Sequence, residues 1–133
     1  SQSVSLREEM EFASAYIFLL KMRFENNLQF DIQIAKSFED YRLPPMAVQV
    51  LIENAVKHNE ISDRKPLTIH IVTNNEGYLS VSNDIQPKRT AASGTGIGLV
   101  NLAKRYRLLF KQDIQITEDK EFSVCIPLID EVQ

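Results

Sequence analysis

Two short stretches of this sequence carry residues whose types and spacing suit chemistry. In the first, Glu53 stands four residues before Lys57, Asn54 four before His58, and Asn54 three before Lys57. On a helix these spacings gather side chains toward one side, so all four are expected to converge on one small volume. They would supply a carboxylate that can orient or deprotonate water, an amide oxygen that can ligate a hard cation, and two nitrogen groups suited to phosphate. The same residues would equally make a solvated helix face with one Glu53–Lys57 pair. The second stretch, Ser93-Gly94-Thr95-Gly96-Ile97-Gly98-Leu99, holds three of the chain's four glycines. Closely spaced glycines let backbone N–H groups wrap an anion, and a helix starting there adds a favourable dipole. The alternate spacing is not the dinucleotide-binding fingerprint, and no Lys-Ser/Thr pair follows to make a P-loop. Ala91-Ala92-Ser93 ahead of the glycines suits a lid that orders over a nucleotide.

These stretches need elements to hold them. Val48, Leu51, Ile52, Ala55 and Val56 share a broad apolar face, so the first stretch lies on a helix that starts at Leu43-Pro44-Pro45 and runs to about Asn59. A helix from about Ser5 to Asn26 precedes it, opened by Ser5 and Glu8 as a capping box. Its Leu6, Met10, Ala13, Ile17, Leu20 and Phe24 form a heptad-like seam, which packs either on the domain's own core or along a partner helix. Leu28 to Ala35 alternates apolar and polar and reads as a strand covering a core from one side. Leu67 to Val72 and Tyr78 to Ser82 read as a hairpin turned at Asn74-Asn75-Glu76-Gly77, Gly77 supplying a positive φ. Ile85 to Thr95 reads as a loop, Gly98 to about Phe110 as a helix, and Ile114 to Thr117 with Glu121 to Ile126 as a last strand pair. Hairpins mixed with helices predict an α+β two-layer sandwich, a mixed and mostly antiparallel sheet covered by helices on one face.

Composition limits the function classes. With 133 residues, 44% hydrophobic and 25% charged, the chain is a globular unit with a packed core. Its net charge of −3 offers no basic surplus for nucleic acid, so any anion site must be local. A single cysteine, Cys125, excludes an internal disulfide and suits a small core position in a strand. No apolar run approaches the roughly 20 residues of a membrane span. The chain also starts without Met, which reads as a piece of something larger.

Together and in this order, the two stretches resemble a known family. Leu51 to His58 is similar to the N box, and Gly94 to Leu99 to the G2 box, of the ATPase superfamily that includes histidine kinases, gyrase and MutL. Leu43-Pro44-Pro45, Asn101, Arg105-Tyr106, the closing Phe122 to Leu128, and the opening Leu6-Arg7-Glu8-Glu9 through Tyr16 to Arg23-Phe24 resemble the LytS-type sensor histidine kinases in particular. The resemblance implies a Bergerat fold over residues 28–133, preceded by a helix over 1–27 that leads from an upstream dimerisation region. It implies ATP and Mg²⁺ as ligands. Asn54 would ligate the metal, with Glu53 beside it as a polariser of water or an outer partner. Lys57 and His58 would approach phosphate, and the segment Gly94, Thr95, Gly96, Ile97, Gly98 and Leu99 would close over it. The family has Asp-Asn-Gly-x-Gly after the hairpin, its aspartate accepting from the adenine amino group. This chain has Asn83-Asp84-Ile85-Gln86-Pro87, so Asn83 would accept more weakly, and Asp84 would substitute only in a shifted register.

The implied activity is transfer of the ATP γ-phosphoryl to a histidine, in the catalytic domain of a bacterial two-component sensor kinase. His58 and His70 are the chain's two histidines, and neither lies in a His-Phe-x-Phe-Asn context, so the acceptor is expected outside these residues. The implied partners are the parent kinase's dimerisation and phosphoacceptor helices, in a homodimer, and a response regulator. The implied location is the cytoplasmic side of a parent anchored in the inner membrane. The alternative is a nucleotide-sensing or scaffold module without phosphotransfer, suggested by the altered Asn83-Asp84-Ile85 box.

Overall fold

The computed structural model describes residues 2–88 and 96–131. The capping box opens the first helix as its sequence requires: Ser5 Oγ accepts from the Glu8 N–H, and Glu8 accepts from the Ser5 N–H at 3.0 Å. That helix, α1 (Leu6–Phe24), follows a two-residue strand β1 (Val4–Ser5) and ends in a 3₁₀ turn, Glu25–Asn27. Then come β2 (Leu28–Gln33), β3 (Arg42–Leu43), α2 (Ala47–His58), β4 (Leu67–Thr73), β5 (Tyr78–Asp84), α3 (Ile97–Phe110), β6 (Gln115–Glu118) and β7 (Glu121–Pro127).

Five strands form one sheet in the order β2-β4-β5-β7-β6. The β2–β4 pair is parallel and the other three pairs are antiparallel. The hairpin β4–β5 turns where the glycine predicted it, Gly77 having φ +83°. Leu67, Ile69 and Ile71 of β4, Leu79 and Val81 of β5, and Val124 and Ile126 of β7 are buried on one face. They meet Leu6, Ala13 and Leu20 of α1, Val48, Leu51, Ile52 and Ala55 of α2, and Leu102 and Tyr106 of α3. The expected two-layer α+β sandwich is therefore what forms, with α2 between the other two helices.

One open alternative is decided and two expectations change. The α1 seam faces the domain's own core, since Leu6, Ala13 and Leu20 are buried in the same cluster as α2 and the sheet. The second helix starts at Ala47, past the two prolines, because Met46 adopts a left-handed conformation with φ +70° that no α-helical turn can include. The strand after α1 ends at Gln33, and Ile32 is exposed rather than core-facing. β2 is an edge strand, and there Ile32 lines an open apolar groove with Leu6, Met10 and Ile34. A small antiparallel pair, β1 with β3, has no counterpart in the sequence reading.

Candidate functional site

The site is built on α2, and both ends of that helix are fixed by side chains from elsewhere. Its first N–H groups lack a side-chain cap from their own neighbourhood. Glu9 of α1, 2% exposed, takes that role: Oε1 accepts from the Met46 N–H at 2.9 Å, and Oε2 from the Val48 and Gln49 N–H groups at 2.9 and 3.4 Å. A carboxylate against the positive end of a helix dipole is favourably placed. Burial pushes its carboxyl above the usual range, while the three backbone donors pull the other way. Arg105 of α3 holds the preceding turn, donating to the Pro45 carbonyl at 2.6 Å.

At the other end an amide latch closes the helix onto the segment after β5. Asn59 donates to the Ala55 carbonyl at 2.8 Å and accepts from the Gln86 N–H at 2.7 Å. Gln86 in turn donates through Nε2 to the carbonyls of Glu60 and Lys65, and its own carbonyl accepts from the Glu60 N–H. These bonds lay Ile85 and Pro87 across the end of α2.

The result is a cleft of about 360 Å³. Asn54 and His58 of α2 form one wall, and Gly96 and Leu99 at the start of α3 another. Ile85, Pro87, Glu118 and Phe122 complete it. Gly96 caps α3 with φ +83°, a conformation that an L side chain would strain. Gly98 lets α3 approach α2, where an added Cβ would meet Val50 Cγ1 at 3.4 Å. Burial, then the charges of Lys57 and Lys88, push His58 below its ordinary value, so the ring is neutral at pH 7.

The four polar residues of α2 do not converge on one volume. Asn54 and His58 line this cleft, whereas Glu53 and Lys57 line a wider one of about 1040 Å³ on the helix's other flank. One residue along a helix is a turn of roughly 100°, enough to carry Glu53 and Lys57 over the ridge. Asn59 borders both clefts. Of the glycine stretch, Gly96, Ile97, Gly98 and Leu99 are described, with Gly96 and Leu99 on the cleft. Gly94, Thr95 and the lid expected at Ala91-Ala92-Ser93 lie outside the described residues.

Asn83 is 1% exposed at the end of β5, opposite Phe122 of β7 in register. Its Nδ2 donates to the Asp84 carbonyl at 2.8 Å. Asp84 is exposed and paired in register with Glu121, and neither Asn83 nor Asp84 lines the cleft; Asn83 reaches it only through its register partner Phe122. The sequence reading missed Asn59, Glu118 and Phe122. Of these only Asn59 had a local signal, as a buried amide just past the helix end. His70 of β4 bonds Asp31 at 2.8 Å, away from both clefts. Among the described residues no group of three or more His, Cys, Asp or Glu could hold a metal, and no helix is long and apolar enough to cross a membrane.

No family model matches the chain. Solved structures with this fold include the catalytic domain of histidine kinase ThkA, with a TM-score of 0.64 and 18% identity over 98% of this chain and all of that one. The cytoplasmic segment of histidine kinase QseC follows at 0.66 and 9%, over 97% of this chain and 78% of that one. The fold is thus that of a histidine kinase catalytic domain.

Sequence relatives narrow the class. Sensor protein LytS of Streptococcus mutans is 34% identical over 134 residues, 89% of this chain and 23% of that protein. Sensor histidine kinase BtsS of Escherichia coli is 28% identical over 120 residues, 88% of this chain and 21% of that protein. Within its class the chain is therefore a relative of the LytS-type sensor kinases, as its motifs indicated. It spans about a fifth of the length of these curated relatives.

Proposed function

We propose that this chain is the ATP-binding catalytic domain of a two-component sensor histidine kinase, and that it presents the γ-phosphoryl of ATP to a histidine outside these residues. The observation that carries the reading is the meeting of the two motifs: Asn54 and His58 face Gly96 and Leu99 across one cleft. Phosphoryl transfer needs chiefly positioning and charge neutralisation. The backbone at Gly96 and the N-terminus of α3 would hold phosphate oxygens. His58, neutral, would lie with Ile85, Leu99 and Phe122 against the nucleoside.

The donor set fits Mg²⁺ in a particular way. One protein amide oxygen, from Asn54, with phosphate and water oxygens completing the shell, is how this ion is usually held beside a triphosphate. When bound, the ion would neutralise charge between the phosphates. Lys57, exposed on the neighbouring flank, has a flexible stem that can carry its ammonium over the helix ridge toward them. Glu53 accepts from Gln49 Nε2 at 3.4 Å on that outer flank, where an approaching acceptor rather than the nucleotide would meet it.

Asn83 would read the base. A carbonyl only accepts, so the amide nitrogen must face Asp84, which leaves Oδ1 as an acceptor for an exocyclic amine. No described residue donates to that oxygen. The scaffold alternative rests on this box alone, and nothing in the comparisons favours it.

Titration of the ¹⁵N-labelled chain with Mg²⁺ and a non-hydrolysable ATP analogue tests the reading. Amide shifts are expected at Asn54, His58, Gly96 and Leu99, and Asn54→Ala should weaken binding about tenfold or more, roughly 1.4 kcal/mol. No response at those amides overturns it. Asn83→Leu should erode the preference for adenine over guanine nucleotides while Asn54 still responds. Mixing the chain with ATP and a protein carrying the acceptor helices separates a kinase from a scaffold, because phosphohistidine forms only with the first.

A further inference from the structure

The wider cleft is a charge anomaly. The chain as a whole is net −3, yet Arg23, Lys57, Arg64, Lys65 and Lys88 line this cleft against two carboxylates, Glu53 and Glu60. Arg64, Lys65 and Lys88 form no ion pair with any described residue. Arg23 rests over the Phe24 ring at 4.6 Å.

Beside it runs an apolar stripe with no cover. Phe12, Leu19 and Met22 of α1 are 62–65% exposed and sit at positions i, i+7 and i+10, the repeat of a helix–helix seam. Phe18, 64% exposed, extends the stripe on its outer side. Tyr16 and Arg23 occupy the arc of α1 between this stripe and the buried Ala13 and Leu20, and both line the basic cleft. Stripe and cleft are therefore one continuous surface, apolar along α1 and cationic along its flank toward α2. The stripe is about 15 Å long, which matches roughly three turns of a facing helix.

From this surface we infer a docking site for an amphipathic helix that carries aspartate or glutamate beside its apolar face. Charge complementarity selects that occupant. The apolar stripe stands apart from the nucleotide site, because no residue of α1 lines the Asn54–His58 cleft, although Asn59 borders both clefts.

Two synthetic peptides of about three heptads with leucine seams, flanked in one by glutamate and in the other by lysine, test it against the ¹⁵N-labelled chain. The glutamate peptide should bind about tenfold or more tightly than the lysine peptide, weaken with added salt, and shift the amides of Phe12, Leu19, Met22, Arg64 and Lys65. The double variant Leu19→Gln, Met22→Gln should abolish binding with an unchanged circular dichroism spectrum. Arg64→Gln with Lys65→Gln should remove the preference for glutamate but keep weak binding. Equal binding of both peptides, binding of neither, or shifts confined to the exposed apolar groove at Val100 and Leu108 of α3 overturn the proposal. So does sedimentation showing that the chain dimerises through the stripe.

Discussion

The two ends of α2 are held by different chemistry. At the N-terminal end a buried carboxylate, Glu9, collects three backbone N–H groups from residues 37, 39 and 40 positions away in the chain. At the C-terminal end a neutral amide, Asn59, ties the last turn to Gln86, 27 positions away. The first anchor fixes where the helix begins relative to the core. The second fixes the wall of the cleft. The lesson is that an ionisable group serves the fold, where burial can be complete, while a neutral group serves the site, where charge would act on any anionic ligand.

The comparison can be broken most strongly at Glu9. Glu9→Ala leaves a buried donor at Val48 and a half-buried one at Met46 without partners, and should cost about 3 kcal/mol in urea or thermal denaturation. Loss of less than about 1 kcal/mol would show that water replaces the carboxylate. Asn59→Ala should be milder in stability, about 1–2 kcal/mol, because the latch retains the Gln86 side-chain bonds. Its sharper effect should be on the cleft: nucleotide affinity falls although Asn59 need not touch the nucleotide, and the amides of Ile85 and Lys88 shift in the free protein.

The smallest effect is one of pH. The Glu9 carboxyl is raised above its reference value of 4.5, chiefly by burial. Below 4.5 the group is protonated in folded and unfolded chains alike, and its contribution is fully present. As pH rises the unfolded chain ionises first, and stability declines until pH passes the raised folded value. The margin of wild type over Glu9→Gln should therefore narrow across that interval and then level off. The corresponding comparison at the other end, Asn59→Ala against wild type, should be flat over the same range.

Much of the architecture was legible in local signals. The Ser5–Glu8 box and the Gly77 turn act between near neighbours, and each appears where its residues put it. The site was legible only in part. Asn54 and His58 share the cleft with Gly96 and Leu99, but helical spacing alone could not show that Glu53 and Lys57 fall beyond the ridge. That depended on which arc of α2 the core claims. Glu9 had no signature at all, since a glutamate in the first turn of a helix is ordinarily explained by that helix's own dipole. Glu118 and Phe122 were hidden for a similar reason: Phe122 reaches the cleft because β7 lies beside β5, a pairing over a long stretch of chain, and Glu118 of β6 follows as the register partner of Phe122. The left-handed Met46 likewise reflects tertiary contacts rather than a local preference.

Gly98 gives the cleft a gauge. Its hydrogen occupies the position from which a methyl group would press on Val50 at 3.4 Å. Beside the aperture between Asn54 and Leu99, α2 and α3 thus stand about one methyl group apart, with the thinnest spacer the genetic code offers between them.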